Sequence, residues 1–411
     1  MPKSRVDEFL KNIIIVFAGA SVANALNLLY QLLVAHKLSP EEFANFNAIL
    51  SIFMIISAPI STLQLVVAKY CAEFNALGQL NKLRVFLNVF FKKSVTLALV
   101  SFPLFLFICL YAGKTLKINS FIPGIILAGL LSSSCIPVFN GAIQGLELFK
   151  WQAVISLSGG LLKLALAYIL IYFGFKISGA LFSLLAANLL GMAIAYLILR
   201  GYFFSPPANE QVNYREIYLY VFPIALANFC FYALVNMDML LVKYFFTPQD
   251  AGFYSVAQML GKIFLFLPGA ISIVMFPRAA GLKAKNIVTS ATLGRSLLYT
   301  AILCFLSAAF YNIFPAFVLK ILTGKVFAES VFLGRLFSIS MSFFTLSYIL
   351  IIYFLSLGRV RFLKILGVFC LCQALGIAIF HQSLLQVQLV LCLTAILTFF
   401  SLLSLARSSP N

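Results

Sequence analysis

The chain has 411 residues, of which 63% are apolar and only 10% are charged, and its formal net charge is +18. Soluble domains carry roughly a quarter charged residues, so this composition excludes an ordinary soluble protein and indicates a membrane protein. In a membrane protein the positive charge follows from the lysine and arginine excess of cytoplasmic loops, so we expect no nucleic-acid partner.

Spanning helices are delimited by the charged residues. A helix needs about 20 mostly apolar residues to cross the bilayer. Runs that meet this requirement lie, in chain order, at 12–35, 43–68, 94–113, 118–146, 151–175, 177–199, 217–237, 251–276, 296–319, 336–358 and 365–406. The last run is long enough for a two-helix hairpin, so the sequence predicts an all-α integral membrane protein with about twelve transmembrane helices.

The orientation follows from the distribution of lysine and arginine. With a cytoplasmic N-terminus, 19 of these residues lie on the cytoplasmic side and 7 on the outer side. The positive-inside rule therefore predicts cytoplasmic termini and a multi-pass protein of the inner (plasma) membrane. Three basic residues remain at membrane depth: Lys163, Lys262 and Arg335.

The polar stretch Gly201–Asn213 separates six predicted spans from six. We therefore predict an N-terminal lobe at 1–205 (helices 1–6) and a C-terminal lobe at 206–411 (helices 7–12). An even number of spans in each half predicts that the two halves have the same topology in the membrane.

An internal repeat supports this division. SPEEFANF at Ser39–Phe46 matches TPQDAGFY at Thr247–Tyr254, 208 residues later. In both copies a hydroxyl residue precedes a proline and acidic or amide residues, which predicts a capped helix start. Each helix then has a central proline, Pro59 or Pro268, and ends at a basic residue, Lys69 or Arg278.

Sequence signatures of catalysis are missing. There is no G-x-x-x-x-G-K-[ST] phosphate loop, two histidines cannot build a metal site alone, and the eight cysteines have no disulfide or zinc spacing. No polar loop is large enough to hold catalytic carboxylates. We therefore expect no enzyme activity, no metal and no cofactor, which leaves transport.

Several segments resemble polysaccharide-transport (Wzx-type) flippases of the multidrug/oligosaccharidyl-lipid/polysaccharide exporter superfamily. They are SPEEFANFNAILSIF, QGLELFKW (144–151), ISGA (177–180), NMD (236–238), DAGFYSVAQ (250–258) and FPR (276–278). The resemblance implies two six-helix lobes around a central cavity. It also implies flipping of polyprenyl-diphosphate-linked oligosaccharides from the inner to the outer leaflet, by alternating access, for cell-surface polysaccharide such as lipopolysaccharide.

The three deep cations are the first candidate site residues. An ionisable side chain at mid-bilayer costs at least ~2.5–3.5 kcal/mol, so it should face a cavity or a partner. Lys163 lies 13 residues from both Lys150 and Lys176, too far to reach either surface easily. We predict that Lys163, Lys262 and Arg335 bind the anionic diphosphate or acidic sugars. The alternatives are structural ion pairs for the lysines and the outer surface for Arg335.

Buried polar groups supply the other candidates. Asp238 is the only acid well inside a span, and we predict that it carries a coupling proton or sodium ion; the alternative is charge balance for Lys262 or Lys243. Amide side chains that share a helix face are predicted to contact sugar hydroxyls, with helix–helix hydrogen bonding as the alternative. They are Asn24, Asn27 and Gln31 in the first span and Asn228 and Asn236 in the seventh.

Two other functions stay open at this point. A multidrug cation antiporter of the same superfamily would prefer acids in its cavity, whereas this sequence has three deep cations and one deep acid. A membrane scaffold subunit would transport nothing. The expected partners of a flippase are the lipid-linked oligosaccharide and the membrane lipids.

Overall fold

A computed structural model of the chain describes residues 22–116, 121–133, 135–203, 214–265, 271, 275, 290–324 and 326–408. This part of the chain contains helices and short turns and no β-strand. The helices are α1 (residues 22–37), α2 (Pro40–Ala76), α3 (Leu80–Thr115), α4 (Phe121–Ser132), α5 (Cys135–Gly145), α6 (Phe149–Tyr172), α7 (Lys176–Phe203), α8 (Tyr214–Phe245), α9 (Pro248–Phe264), α10 (Ser290–Ile313), α11 (Pro315–Thr323), α12 (Ala328–Ser356), α13 (Phe362–Ile379) and α14 (Leu384–Ser408).

The predicted fold class is confirmed. Ten helical segments of the described part are long and apolar enough to cross a membrane. The predicted spans 12–35 and 251–276 lie partly on residues outside the described ranges, as do Pro268 and Arg278 of the repeat. About twelve spanning helices therefore remain the best count for this multi-pass membrane protein.

Two helix ends differ from the limits that the charges suggested. α8 continues through Asp238 and Lys243 to Phe245, because both charged side chains are buried and bonded within the protein. α10 ends at Ile313, because Pro315 has no backbone N–H and begins the short helix α11 instead.

Both copies of the repeat start a helix as predicted. The backbone N–H of Glu42 donates to Ser39 Oγ (3.2 Å), and the Ser39 N–H donates to the Glu42 carboxylate (3.0 Å). The Asp250 N–H donates to Thr247 Oγ1 (3.2 Å). These bonds satisfy the first turns of α2 and α9, which would otherwise have unpaired N–H groups.

The chain forms two compact units. The first contains residues 1–37 and 56–225, and the second contains residues 38–55 and 226–411. α2 therefore contributes its first turns to the second unit and the rest to the first. The predicted division into lobes at residue 205 rests on the repeat, and it stays a prediction.

An aromatic and aliphatic cluster forms the core at one end of the first unit. Phe86 of α3 contacts Tyr70 and Phe74 of α2, with ring centroids 5.8 and 5.7 Å apart. The same cluster contains Ile143 of α5 and Leu199 of α7. With Ile155 of α6, residues from five helices therefore meet there.

α5 packs against α2 through two of its glycines, Gly141 and Gly145. A Cβ on Gly141 would lie 2.6 Å from the Gln64 carbonyl oxygen, and one on Gly145 would lie 2.5 Å from the Ala68 carbonyl oxygen. Real Cβ atoms do not approach this closely, so only glycine permits the two backbones to meet. Gln64 Nε2 also donates to Gln144 Oε1 (3.3 Å).

In the second unit α12 is the most buried spanning helix, and it packs against α9, α10 and α14. A Cβ on Gly261 would lie about 3.0 Å from the side chains of Phe337 and Met341. The two helix starts of the repeat also touch here, because a Cβ on Gly252 would lie 2.8 Å from Pro40 Cβ.

Candidate functional site

Lys163 is the most informative polar residue of the first unit. It lies at mid-length of α6 and is 9% exposed. Its ammonium donates a hydrogen bond to Asn27 Oδ1 and lies 4.6 Å from the centroid of the Tyr30 ring. The predicted deep lysine is therefore bound by an amide oxygen and an aromatic face, both of which α1 supplies.

The local packing explains this position. One turn before Lys163, a Cβ on Gly160 would lie 2.9 Å from Leu26 Cδ1, so glycine allows α6 to approach α1. The Tyr30 hydroxyl donates to the Ala180 carbonyl of α7 (2.9 Å), which holds the ring in place. Tyr30 is 2% exposed. Three helices thus fix the ring on which the ammonium rests.

Lys163 has no acidic neighbour among the described residues. Its polar partners there are Asn27 and the Tyr30 ring, and no carboxylate acts on its charge. An ammonium has three donors, and the amide oxygen occupies one. The first unit therefore holds a buried positive charge that can still accept an anionic ligand.

The polar stripe of α1 is only partly buried. Asn27, which accepts from Lys163, has an exposed side chain; Asn24 is exposed and Gln31 is partly buried. Ser21, which continues this stripe, lies outside the described residues. Lys163 and Asn27 are the two predicted site residues that the first unit brings into contact.

Asp238 is the centre of a second polar group, in the second unit. Its carboxylate is fully buried and accepts a hydrogen bond from the Tyr254 hydroxyl (2.9 Å) and one to each oxygen from Gln258 Nε2 (3.1 Å). Both partners come from α9, whereas Asp238 is on α8. The three residues form a buried network of one carboxylate and two neutral donors.

Lys262 supplies the opposite charge to this group. It lies near the end of α9, one turn after Gln258, and its charge attracts the Asp238 carboxylate. Its side chain is partly exposed. The two deep lysines therefore differ, because the charge of Lys262 is balanced by Asp238, whereas no acid in the described part of the chain balances Lys163.

A match to a protein family identifies the family of this chain. Residues 9–283, two thirds of the chain, match the family described as "Polysaccharide biosynthesis protein". The chain belongs to this family. Comparison with curated protein sequences gives no match.

Several solved structures have the same fold as this member of the polysaccharide biosynthesis family. An inward-facing multidrug resistance MATE family transporter of the MOP superfamily is 17% identical, with a TM-score of 0.70, and the match covers 94% of this chain and 96% of that one. The lipid II flippase MurJ is 14% identical, with a TM-score of 0.70 and coverage of 96% and 87%. A MOP superfamily transporter from Pyrococcus furiosus is 16% identical, with a TM-score of 0.66 and coverage of 95% and 93%. These proteins are described as transporters and a flippase, and at 14–17% identity the likeness shows that this chain shares their fold. The predicted resemblance is confirmed at the level of the family and the fold.

The remaining predicted residues make other interactions. Arg335 of this family member is exposed in the second turn of α12, where its charge acts on Tyr311. Asn236 is 1% exposed and donates to the Tyr232 carbonyl (2.8 Å), within α8. Asn228 is partly buried and also has a bonding partner. Their contact with a substrate stays a prediction.

Sequence reasoning missed Tyr30, Tyr254 and Gln258. The two tyrosines lie inside apolar runs, where aromatic residues usually serve only in packing. Gln258 was noted only as the last residue of the segment DAGFYSVAQ. The repeat contained a usable signal, because Tyr30 precedes Asp238 by 208 residues, the same register that relates the two helix starts. The Tyr30 ring beside Lys163 and the Asp238 carboxylate thus occupy equivalent positions in the sequence.

Proposed function

We propose that this protein flips a polyprenyl-diphosphate-linked oligosaccharide from the inner to the outer leaflet by alternating access, for the synthesis of a cell-surface polysaccharide such as lipopolysaccharide. Membership of a polysaccharide biosynthesis family and the fold of known flippases and transporters support this role. The inner membrane and cytoplasmic termini, which the charge distribution predicts, agree with it.

The observation that carries the proposal is the buried charge of Lys163, which has no acidic partner within the described ranges. A buried ammonium without an acid is costly, and an anionic ligand would supply the missing charge. A diphosphate has several oxygens for the donors that Asn27 leaves available. In the proposed cycle, the diphosphate binds Lys163 while the prenyl chain stays in the lipid, and no covalent step is required.

A multidrug cation antiporter fits these residues less well. The one deep acid, Asp238, already accepts three hydrogen bonds and is balanced by Lys262. A cationic drug would have to displace these partners. The Pyrococcus furiosus transporter, which shares this fold, is described as having a binding pocket of reverse polarity that suggests a different function for it.

Secondary contacts to the diphosphate or the sugars are proposed for the other predicted site residues. They are the cations Lys262 and Arg335 and the amides Asn24, Gln31, Asn228 and Asn236. Asp238 is proposed as the site at which a proton or sodium ion couples to transport. The alternative is that Asp238 only stabilises the fold, as the charge partner of Lys262. Transport by Asp238→Asn, measured with and without an ion gradient, distinguishes the coupling role from the structural role.

The proposal is tested in liposomes that contain a fluorescent polyprenyl-diphosphate oligosaccharide. Dithionite added outside bleaches only the outer leaflet, so the protected fraction reports translocation. We expect the native protein to translocate the lipid, Lys163→Gln to lose at least tenfold in rate, and Lys163→Arg to retain most of it. Lys114→Gln, which removes an exposed cation, serves as the control.

Three outcomes would reject the proposal. Equal rates for the native protein and Lys163→Gln would remove the anion-binding role of Lys163. Transport of a cationic dye in place of the diphosphate lipid would favour the antiporter, and no transport of either would favour a scaffold subunit.

A further inference from the structure

One end of the first unit has a strongly basic surface. Five exposed cations from four helices lie there, and we call them the basic end: Lys69 (α2), Lys92 and Lys93 (α3), Lys150 (α6) and Arg200 (α7). Two exposed acids, Glu73 and Glu147, lie at the same end. The surface therefore keeps a clear positive excess.

Packing in the core places these cations at one end. A single buried cluster contains residues that lie close in sequence to each part of the basic end. They are Val66 near Lys69, Phe86 near Lys92, Leu199 next to Arg200, and Ile143 just before the α5–α6 turn that leads to Lys150. The close approach of Gly145 to Ala68 brings that turn beside Lys69.

The length of α3 places the surface at the depth of the lipid headgroups. Its uncharged run, 94–113, is about 30 Å long and fills the hydrocarbon layer. The preceding residues of the helix, Leu80–Lys93, extend about 21 Å further. Lys92 and Lys93 are thus the first residues outside the hydrocarbon, where lipid phosphates lie.

We propose that the basic end binds the anionic headgroups of phospholipids in the adjacent leaflet. Clusters of four to eight lysine and arginine residues next to a spanning helix attract acidic lipids. The depth of Lys92 and Lys93 favours headgroups over an acidic protein, which would approach from the water. The annulus around this end is enriched in acidic phospholipid, independently of the substrate at Lys163.

A built-in reporter makes the proposal measurable. Trp151 is the single tryptophan of the chain, and it is 46% exposed in the first turn of α6, next to Lys150. Bromine atoms on lipid chains quench tryptophan at short range. The ratio of quenching by brominated phosphatidylglycerol to quenching by brominated phosphatidylcholine therefore reports the headgroup preference beside the basic end.

The experiment compares full-length proteins in phosphatidylcholine vesicles that contain either brominated lipid at the same low fraction. Each lysine or arginine near the membrane surface raises the local concentration of acidic lipid roughly fivefold. We expect the native protein to prefer phosphatidylglycerol severalfold, and Lys69→Gln/Lys92→Gln/Lys93→Gln to lose most of this preference. The control, Lys37→Gln/Lys114→Gln/Lys176→Gln, removes three exposed cations from the other end and should behave as the native protein.

Salt provides a test that needs no variant. Because headgroup attraction is screened, about 0.5 M sodium chloride should reduce the native preference towards 1. Equal quenching by the two lipids in the native protein, or a triple variant that keeps more than half of the preference, would overturn the proposal. A matching loss in the control would overturn it too, because net charge alone would then explain the effect.

Discussion

The Lys163 ammonium lies 4.6 Å from the centroid of the Tyr30 ring, and the Tyr30 hydroxyl donates to the Ala180 carbonyl. The ring stabilises the cation without neutralising it, because the face of an aromatic ring has a negative potential but no net charge. This contact allows a buried lysine to keep its charge for a ligand.

Two substitutions at Tyr30 distinguish the role of its aromatic ring from the role of its hydroxyl group. Tyr30→Phe keeps the cation–π contact and loses one hydrogen bond, so we expect a stability loss of about 1 kcal/mol and nearly native translocation. Tyr30→Leu also removes the ring, and we expect translocation to fall by a few-fold to roughly thirtyfold. Thermal unfolding and the liposome assay measure the two effects, and equal translocation by both variants would contradict a role of the ring.

Asn27→Asp tests whether the positive charge itself is required. The new carboxylate would replace the amide oxygen beside Lys163 and neutralise it. We expect the variant to unfold at a higher temperature than the native protein and to translocate a diphosphate lipid at least tenfold more slowly. Asn81→Asp makes the same chemical change at an exposed position near the start of α3, outside the proposed site, and serves as the control. Fast transport by Asn27→Asp would show that the charge of Lys163 is dispensable.

The spanning helices could be predicted because charge is so costly in lipid that uncharged runs of 20 residues mark them. The contacts of the site could not be predicted in the same way. Lys163 and Asn27 are 136 residues apart, and helical periodicity does not indicate which helix α6 meets. Likewise, the sequence marked Asp238 as an unusual acid, but only the packing of α9 on α8 reveals that Tyr254 and Gln258 already bind it.

Asp238→Asn distinguishes an ion-coupling role from a structural one. The amide keeps the shape and can still accept from Tyr254, but it leaves Lys262 without an acid, so we expect a loss of about 1–3 kcal/mol in stability. If Asp238 carries the coupling ion, translocation by the variant will also stop responding to proton and sodium gradients. Tyr254→Phe, which removes one hydrogen bond and keeps the carboxylate, should still respond. A normal gradient response in Asp238→Asn would leave only the structural role.

Glu147 lies in the turn between α5 and α6 with a φ of +57°, a left-handed conformation that costs a side chain roughly 1–2 kcal/mol. Glu147→Gly should therefore raise the unfolding temperature by a few degrees. Gly78→Ala is the converse substitution, because Gly78 has a φ of +67° and open space around its Cβ position, so only backbone strain opposes it. Thermal unfolding should show shifts of opposite sign, and two shifts of the same sign would contradict the strain at Glu147.

Gly145→Ala and Gly367→Ala are the same chemical change in two different environments. At Gly145 the new methyl group would lie 2.5 Å from the Ala68 carbonyl oxygen, so α5 would have to move away from α2. We expect a loss of about 1–3 kcal/mol and weaker translocation, because overpacking of a tight helix pair cannot be relieved by a side-chain rotation. At Gly367, in α13, nothing lies within 4 Å of the added atom, and alanine should stabilise the helix by up to ~1 kcal/mol. Destabilisation at both positions would show that glycine is needed for flexibility and not for close packing.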